Sequence, residues 1–347
     1  MHDKQIDGKA ESGSHPTRRD FLTRAGLVAG GMALMGVPGF RPQRATAATA
    51  DSKIQGGGRS ALELDGQFMD FLKSAEGGFP KAQVIQEKAG QNLLVKKRIG
   101  PPKYQDISIQ CSPAIPKPLF DWIAATLNMS SVRKTGAIIT TDFNGMEQSR
   151  LQFSHAMITE LGIPACDSFS KEPGYLTVKF APEFTAPLAG KGSVLKAVSA
   201  KSKAWLSSNF RLTIPGLDCS KVSTIDALTI KQSIAHNAVG QKRDFQNQPA
   251  QMEFPHLVLS IAEFSAGTFY AWFQDMVIKG NAGESHEKAG TLEFLDPTLK
   301  STLFTISFHH LGIFGFTPEK SEANANKIKR VTVEMYCEQM TLVPVKI

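Results

Sequence analysis

The stretch "DISIQCSPAIPKPLFDWIAATLNM", residues 106–129, joins a short alternating run to an apolar helical pattern. Apolar residues recur at helical spacing from Leu119 to Leu127, and Pro118 suits a first helical turn, where its missing N–H costs nothing. The pattern predicts a strand followed by a helix over residues 118–128. A helix with one apolar face must pack that face on a sheet.

The same order of strand and helix occurs a second time in the chain. The stretch "LVLSIAEFSAGTFYAWFQDMVIKG", residues 257–280, predicts a strand and then a helix over residues 267–278. Trp122 and Trp272 lie on the two helices and are 150 residues apart. We therefore expect these tryptophans to occupy equivalent structural positions in the core.

More of the chain repeats with nearly the same offset. Three further segments match in the same order at offsets of 154 or 155: 133–143 with 287–297, His155 with His309, and 175–180 with 330–336. Repeats of this kind indicate two copies of one structural unit. Short alternating or β-branched runs between turn residues predict that each copy is mostly antiparallel β.

The predicted fold is therefore mainly β, with two tandem antiparallel β-sandwich or barrel domains, each flanked by one helix. The first domain spans residues 60–186 and the diverged second one residues 208–347. Gly-rich or Ser-containing stretches at 51–59 and 187–207 are predicted linkers.

The N-terminal 50 residues have the layout of an export signal. "TRRDFL", residues 17–22, resembles a twin-arginine signal in its Arg18, Arg19, Phe21 and Leu22, and an apolar run of about 13 residues follows, too short to span a membrane. "ATAATA", residues 45–50, leaves the cleavage site open among Ala47, Ala48 and Ala50. The expectation is export by the twin-arginine translocase to the periplasm or outside. The alternative is a cytoplasmic tail-like assembly whose N-terminal tail contains a chance arginine pair.

Charge and cysteine content narrow the function classes. The formal net charge is +7, but the first 50 residues hold seven basic and four acidic residues, so the rest carries only +4. That modest charge does not favour nucleic-acid binding. The four cysteines, Cys111, Cys166, Cys219 and Cys337, show no C-x-x-C spacing, and their disulfide pairing, if any, is open among three schemes. Burial as small apolar residues is the favoured interpretation.

Several motifs of the first copy resemble the T-even-like phage tail tube family, which includes inner tubes of contractile injection systems. They are "KRIG" followed by "KYQDI" (97–107), "FDWI" (120–123), "RKTGAI" (133–138) and "YLTVKFAPE" (175–183), and the match covers roughly residues 60–183. The resemblance implies a β-barrel with a flanking helix, six of which close a ring that stacks into a tube. It also implies that an extended loop, residues 87–102 here, makes ring contacts.

Catalytic patterns are weak. "HEKAG", residues 286–290, lacks the second histidine of a zinc-protease helix, and no catalytic, cofactor or metal residue is predicted. The expected function is a non-enzymatic, ring-forming subunit of a phage-tail-like tube, with sheath or baseplate proteins as partners. Two domains per chain predict a pseudo-sixfold trimer. The alternative is an exported, non-catalytic binding protein that reuses the fold.

The leader yields a direct prediction. Replacing Arg18 and Arg19 together with lysine should leave uncleaved protein in the cytoplasm, because the translocase reads the arginine pair as an address. Fractionation and immunoblotting measure this, with Lys4→Arg and Lys9→Arg as a control for charge-preserving changes elsewhere in the leader. Unchanged processing of the double variant would contradict the twin-arginine assignment.

Overall fold

The computed structural model describes residues 58–88, 95–193, 195, 205–238, 245–320 and 328–343. The signal residues Arg18, Arg19, Phe21 and Leu22 lie outside these ranges. The described part up to residue 195 is called here the first half, and the part from residue 205 the second half. The stretch from residue 58 onward belongs to a single compact unit.

Strands dominate both halves. The first half contains β1 (Ser60–Leu64), β2 (Gln67–Leu72), β3 (Ser74–Gly77), β4 (Pro80–Lys88), β5 (Val95–Tyr104), β6 (Ile107–Cys111), β7 (Lys134–Thr141), β8 (Glu147–Ile163), β9 (Cys166–Asp167), β10 (Leu176–Ala181) and β11 (Phe184–Ala189). The second half contains β12 (Phe210–Thr213), β13 (Val222–Ile225), β14 (Leu228–Ala238), β15 (Phe245–Glu253), β16 (Leu257–Ala262), β17 (Lys288–Leu295), β18 (Thr302–Pro318) and β19 (Arg330–Val343). Every named pair of strands is antiparallel, which confirms the predicted mainly β fold.

One helix flanks the sheets in each half, close to the predicted bounds. Helix α1 is Lys117–Leu127, and helix α2 is Gly267–Phe273 and continues as a π-helical turn, Gln274–Ile278. Two 3-10 turns, Glu263–Ser265 and Glu284–His286, flank this second helical segment.

The strands form two large sheets and one separate hairpin. The ten-stranded sheet runs β2-β1-β7-β8-β10-β6-β3, with β11 and β14 also paired to β8, and β15 paired to β14. The seven-stranded sheet runs β12-β17-β18-β19-β16-β13-β9. Each large sheet thus takes strands from the other half, because β14 joins the first and β9 joins the second. Strands β4 and β5 pair only with each other among the described residues.

Strand registers repeat between the halves. Val178 faces Ile109 and Leu161, and Val333 faces Leu259 and Phe316. 

A bulge recurs as well, at residue 159 in β8 and at residue 314 in β18, which are 155 residues apart. His155 and His310 both have positive φ, at 50° and 55°. The structure therefore matches His155 with His310, one residue beyond the His309 that the sequence pattern paired with it, since the offset grows to 155 along β18.

The two tryptophans have similar surroundings. Trp122 is fully buried and Trp272 is 6% exposed. Each indole N–H donates to a backbone carbonyl, Trp122 to Val132 at 3.1 Å and Trp272 to His286 at 2.9 Å. A third tryptophan, Trp205, is also fully buried, although the sequence assigned it to a linker.

These contacts predict the cost of truncation. Trp122→Ala and Trp272→Ala should each lower the free energy of unfolding by about 3–5 kcal/mol, because a large cavity replaces a buried ring. Chemical denaturation measures this loss. The exposed Phe264 provides the control, since Phe264→Ala should change stability by less than about 0.5 kcal/mol. A tryptophan variant as stable as that control would refute the core role.

Candidate assembly interface

The two halves join through a hairpin that the second half adds to a sheet of the first. We call β14–β15 the second hairpin. Its start pairs with the end of β8 in four positions: Leu228 with Ile163, Thr229 with Gly162, Ile230 with Leu161, and Lys231 with Glu160. An unpaired strand edge is a template for pairing, and the hairpin satisfies this one within the chain.

A buried polar cluster fixes this hairpin on the first half. Asn247 on β15 is 2% exposed, and its backbone N–H donates to Glu183 Oε1 at 2.8 Å. Its carbonyl accepts from Arg133 Nη2 at 2.5 Å, and its side-chain Nδ2 donates to the Ala181 carbonyl at 3.2 Å. His236 Nδ1 lies 2.8 Å from Asn247 Oδ1. Asn247 thus satisfies partners on both halves.

The charges around Asn247 are balanced. Arg133 Nε lies 3.6 Å from Glu183 Oε1, and His155 Nδ1 lies 3.5 Å from Glu183 Oε2. The Glu183 side chain is only 12% exposed, so its partners compensate for its lost hydration. The neutral Asn247 of the second hairpin thus lies beside one cation, Arg133, and one carboxylate, Glu183.

Strands β4 and β5 form a hairpin of the same design, called here the first hairpin. Lys81 pairs with Lys103, and Lys231 pairs with Glu253, so both strands keep the offset of 150. Both ladders are interrupted by a bulge at the equivalent position, before Val84 in one and before Ile234 in the other. Six residues connect the strands in each case, 89–94 and 239–244, and lie outside the described ranges.

The two hairpins differ in what covers them. In the second hairpin Gln232 is 7% exposed and Asn247 is 2% exposed. Their counterparts in the first hairpin, Ala82 and Lys97, are exposed. Ile99 in the first hairpin is 74% exposed, the highest value among the large apolar side chains of the described residues. Within the described part of one chain, the first hairpin therefore lacks the cover that the first half gives the second.

The receiving edge also has an uncovered counterpart. Residues 160–162 of β8 pair with both β10 and β14, and Ile163 pairs with β14, whereas residues 315–318 of β18 pair only with β19 among the described residues. The N–H of Glu319 donates to the Arg330 carbonyl at 2.9 Å. Backbone N–H and C=O groups of successive residues in an antiparallel strand point to opposite sides, and those of Glu319 point toward β19. The C=O of Pro318 and the N–H and C=O of Phe316 therefore point away from β19. We call residues 315–318 the open edge.

Glu287 lies in the second half at the position that Arg133 takes in the first half, with Tyr336 and His310 beside it. Tyr336 Oη donates to Glu287 Oε1 at 2.7 Å, and His310 Nδ1 lies 2.8 Å from Glu287 Oε2. These hydrogen bonds, chiefly that of Tyr336, hold the pKa of Glu287 below its ordinary value. Burial and then Glu287 raise the pKa of Tyr336 to about 12, and Glu287 raises the pKa of His310. Glu287 is therefore ionised at neutral pH.

The sequence identified only part of this interface. The tail tube resemblance assigns ring contacts to residues 87–102, of which 87–88 and 95–102 belong to the strands of the first hairpin and 89–94 lie outside the described ranges. The partners of the second hairpin were missed, because Arg133 and Glu183 lie 114 and 64 residues from Asn247. Aligning the two hairpins at an offset of 150 would have drawn attention to Asn247, because it replaces Lys97 of the basic first hairpin. Trp122 and Trp272 are in the cores and take no part in these contacts.

The described residues contain no group of histidine, cysteine and acidic side chains that could hold a metal ion. All four cysteines have free thiols, with Cys219 half-buried and the others buried. Burial raises the pKa of Cys111 and Cys166 to about 12, so these thiols stay protonated and unreactive.

No helix in the described ranges combines the length and apolarity needed to cross a membrane.

Some solved structures are similar to part of this chain. One is the anti-feeding prophage baseplate, with 14% identity over 40% of this chain and 93% of that chain and a TM-score of 0.31. The sheath-tube complex of an extracellular contractile injection system has 20% identity over 38% and 88%, with a TM-score of 0.33. Hcp1 from Flavobacterium johnsoniae has 13% identity over 38% and 93%, with a TM-score of 0.24. No family model and no curated protein matches the chain.

The buried cluster predicts the effect of changing Asn247. Asn247→Leu should lower the free energy of unfolding by about 1–3 kcal/mol, because the Ala181 carbonyl loses its donor in a buried site. Amide hydrogen exchange in β14 and β15 should speed up more than in β19. Asn237→Leu is the matched control, since Asn237 is exposed on the same hairpin. Equal exchange in the two variants would show that Asn247 does not hold the hairpin.

Proposed function

We propose that this chain is a structural, ring-forming subunit of a phage-tail-like tube assembly, with no enzymatic role. The single observation that supports it best is the contact between the second hairpin and the end of β8. The first hairpin and the open edge repeat both partners of that contact, and neither is covered within the described part of one chain. One chain therefore contains one completed hairpin-to-edge contact. It also offers a free hairpin and a free edge, which could form the same contact with other copies.

The geometry favours head-to-tail association. The donor surface, the first hairpin, differs from the receiving surface, the open edge, so the contact is heterologous. A heterologous contact leaves one donor and one receiver free after each addition, and it ends only when a ring closes. Ring closure would also leave no exposed strand edge at these positions.

The number of chains follows from the two halves. We propose that each half is one tail-tube-like domain, and the resemblance implies six such domains per ring. Three chains then supply six domains in a pseudo-sixfold trimer. Further rings, or sheath and baseplate proteins, are the partners proposed for the flat faces of such a ring.

Export fits this scheme if it precedes assembly. We propose that the leader carries the folded single chain through the twin-arginine route, which places the mature protein in the periplasm or outside the cell. Ring closure then follows export, since a stacked tube is too large to be cargo.

The mass of the mature protein, residues 51–347, tests the proposal. Light scattering should give three times the mass of one chain, and negative-stain microscopy should show rings with six lobes. The control variant replaces residues 82–102 of the first hairpin with a short Gly/Ser linker, which should stay folded and monomeric because that hairpin is uncovered. A strict monomer at high concentration would contradict the tube role and favour the exported binding protein.

A further inference from the structure

We propose that complementary charge directs the first hairpin to the second half of another copy and away from a first half, so that the two halves alternate around the ring. The inference rests on the proposed ring and adds the rule by which its members select each other. It follows from the exchange of charged residues between the two equivalent sites.

The ladder inside the chain gives the register between chains. Offsets of 150 for the hairpins and 155 for the receiving edges carry the four pairs of the ladder within the chain over to residues 78–81 and 315–318. Gly78 and Phe79 precede β4, and Gly78 is buried in its own half. Phe79 then faces Thr317, and Lys81 faces Gly315. Both Phe79, which is 60% exposed, and Thr317 are accessible in the single chain.

The hairpins differ strongly in charge. Strands β4 and β5 of the first hairpin hold six basic residues and one acidic residue. Strands β14 and β15 of the second hold one of each, Lys231 and Glu253. At the position of the buried Asn247 the first hairpin carries the exposed Lys97. A neutral residue in the joint within the chain thus becomes a cation in the joint between chains.

The surfaces that receive the hairpins also differ in charge, and the one in the second half is more negative. In the second half, Glu287 takes the position of Arg133, because β17 follows β7 at an offset of 154. Glu338 takes the position of Glu183 and is exposed. Lys97 therefore faces two carboxylates on the second half of another copy, Glu338 and the Glu287 that Tyr336 and His310 hold. On a first half it would face Arg133 and the single carboxylate of Glu183.

A second row of charged residues crosses each joint. Within the chain, Lys231, Glu160 and Lys179 lie side by side on three adjacent strands, with charges that alternate in sign. Directly opposed residues on antiparallel strands share one face of the sheet, so opposite charges in such a row attract.

The corresponding row between chains is Lys81, Gly315 and Glu334. Gly315 stands where the first half has the carboxylate of Glu160. The Glu334 side chain occupies the space above this glycine, since a Cβ on Gly315 would lie 2.5 Å from Glu334 Oε2. The carboxylate thus reaches across the edge strand toward the position of Lys81. On a first half, Lys81 would meet Glu160 with Lys179 beside it, as Lys231 does within the chain. This row therefore strengthens the joint between chains, and the choice between the halves rests on Lys97.

The backbone contributes less to the joint between chains than to the joint within it. Pro80 and Pro318 lack an N–H, so their positions in the ladder supply an acceptor but no donor. Charged side chains therefore carry more of the selectivity. Like charges brought together at an interface reject wrong partners, and opposite charges speed the encounter with the right one.

Charge exchange in the mature full chain tests the rule. Lys81→Glu, Lys97→Glu and Glu334→Lys should each raise the protein concentration needed for ring formation at least about tenfold. The double variant Lys81→Glu with Glu334→Lys should recover most of that loss, because its charges attract again. Sedimentation velocity across a concentration series measures the effect. Lys300→Glu and Glu263→Lys are controls that change net charge equally at exposed positions elsewhere and should assemble like the wild type.

A covalent trap tests the register independently. Phe79→Cys protein mixed with Thr317→Cys protein should form a disulfide-linked dimer under mild oxidation. The mixture should link because directly opposed strand residues have the Cβ spacing that a disulfide requires. Either variant alone lacks the opposed cysteine and should stay unlinked.

The outcomes separate the two proposals. Wild-type rings whose assembly is indifferent to all three single changes would overturn the charge rule and leave the ring proposal standing. Single changes that weaken assembly without recovery in the double variant would overturn the pairing of Lys81 with Glu334. A wild type that stays monomeric would overturn both proposals.

Discussion

The arrangement of this chain depends on one backbone ladder, in which the start of β14 pairs with the end of β8. That ladder links the halves, buries Asn247 and brings Arg133 and Glu183 to a residue from the other half. It also shows what each hairpin requires: an open strand edge and a set of polar partners beside it. The first hairpin, which has the same register, is built to the same requirement.

The halves differ in charge at positions where the proposed ring would bring copies together. The cores keep their pattern, with Trp122 and Trp272 bonded to equivalent backbone carbonyls. Apolar packing tolerates substitution that keeps volume, so core similarity survives without high identity. Lys97 is exposed and carries no such constraint, so it is free to differ from Asn247. A duplicated domain can thereby distinguish neighbours that share one fold.

Much of the fold could be predicted from the sequence, because its signals are local. The helical stripe from Leu119 to Leu127 and the alternating run at β6 each determine one element and its buried face. The cluster around Asn247 could not be predicted in this way, because its members come together only through pairing of distant strands. The change of offset from 154 to 155 near the bulges in β8 and β18 was not predicted either. A bulge adds one residue to a strand without a recognisable sequence pattern. Matching His155 with His309 missed it by one position.

The covalent link between the halves has a consequence for the order of the assembly reaction. A ring of six separate domains would require six encounters, each with its own loss of translational and rotational freedom. Tethering makes every second encounter intramolecular, at an effective concentration set by the connecting segment and not by the amount of protein present. Formation of the proposed ring would then depend on the third power of chain concentration, where separate domains would follow the sixth. The proposed ring could therefore nucleate at a lower protein concentration than a ring of separate domains.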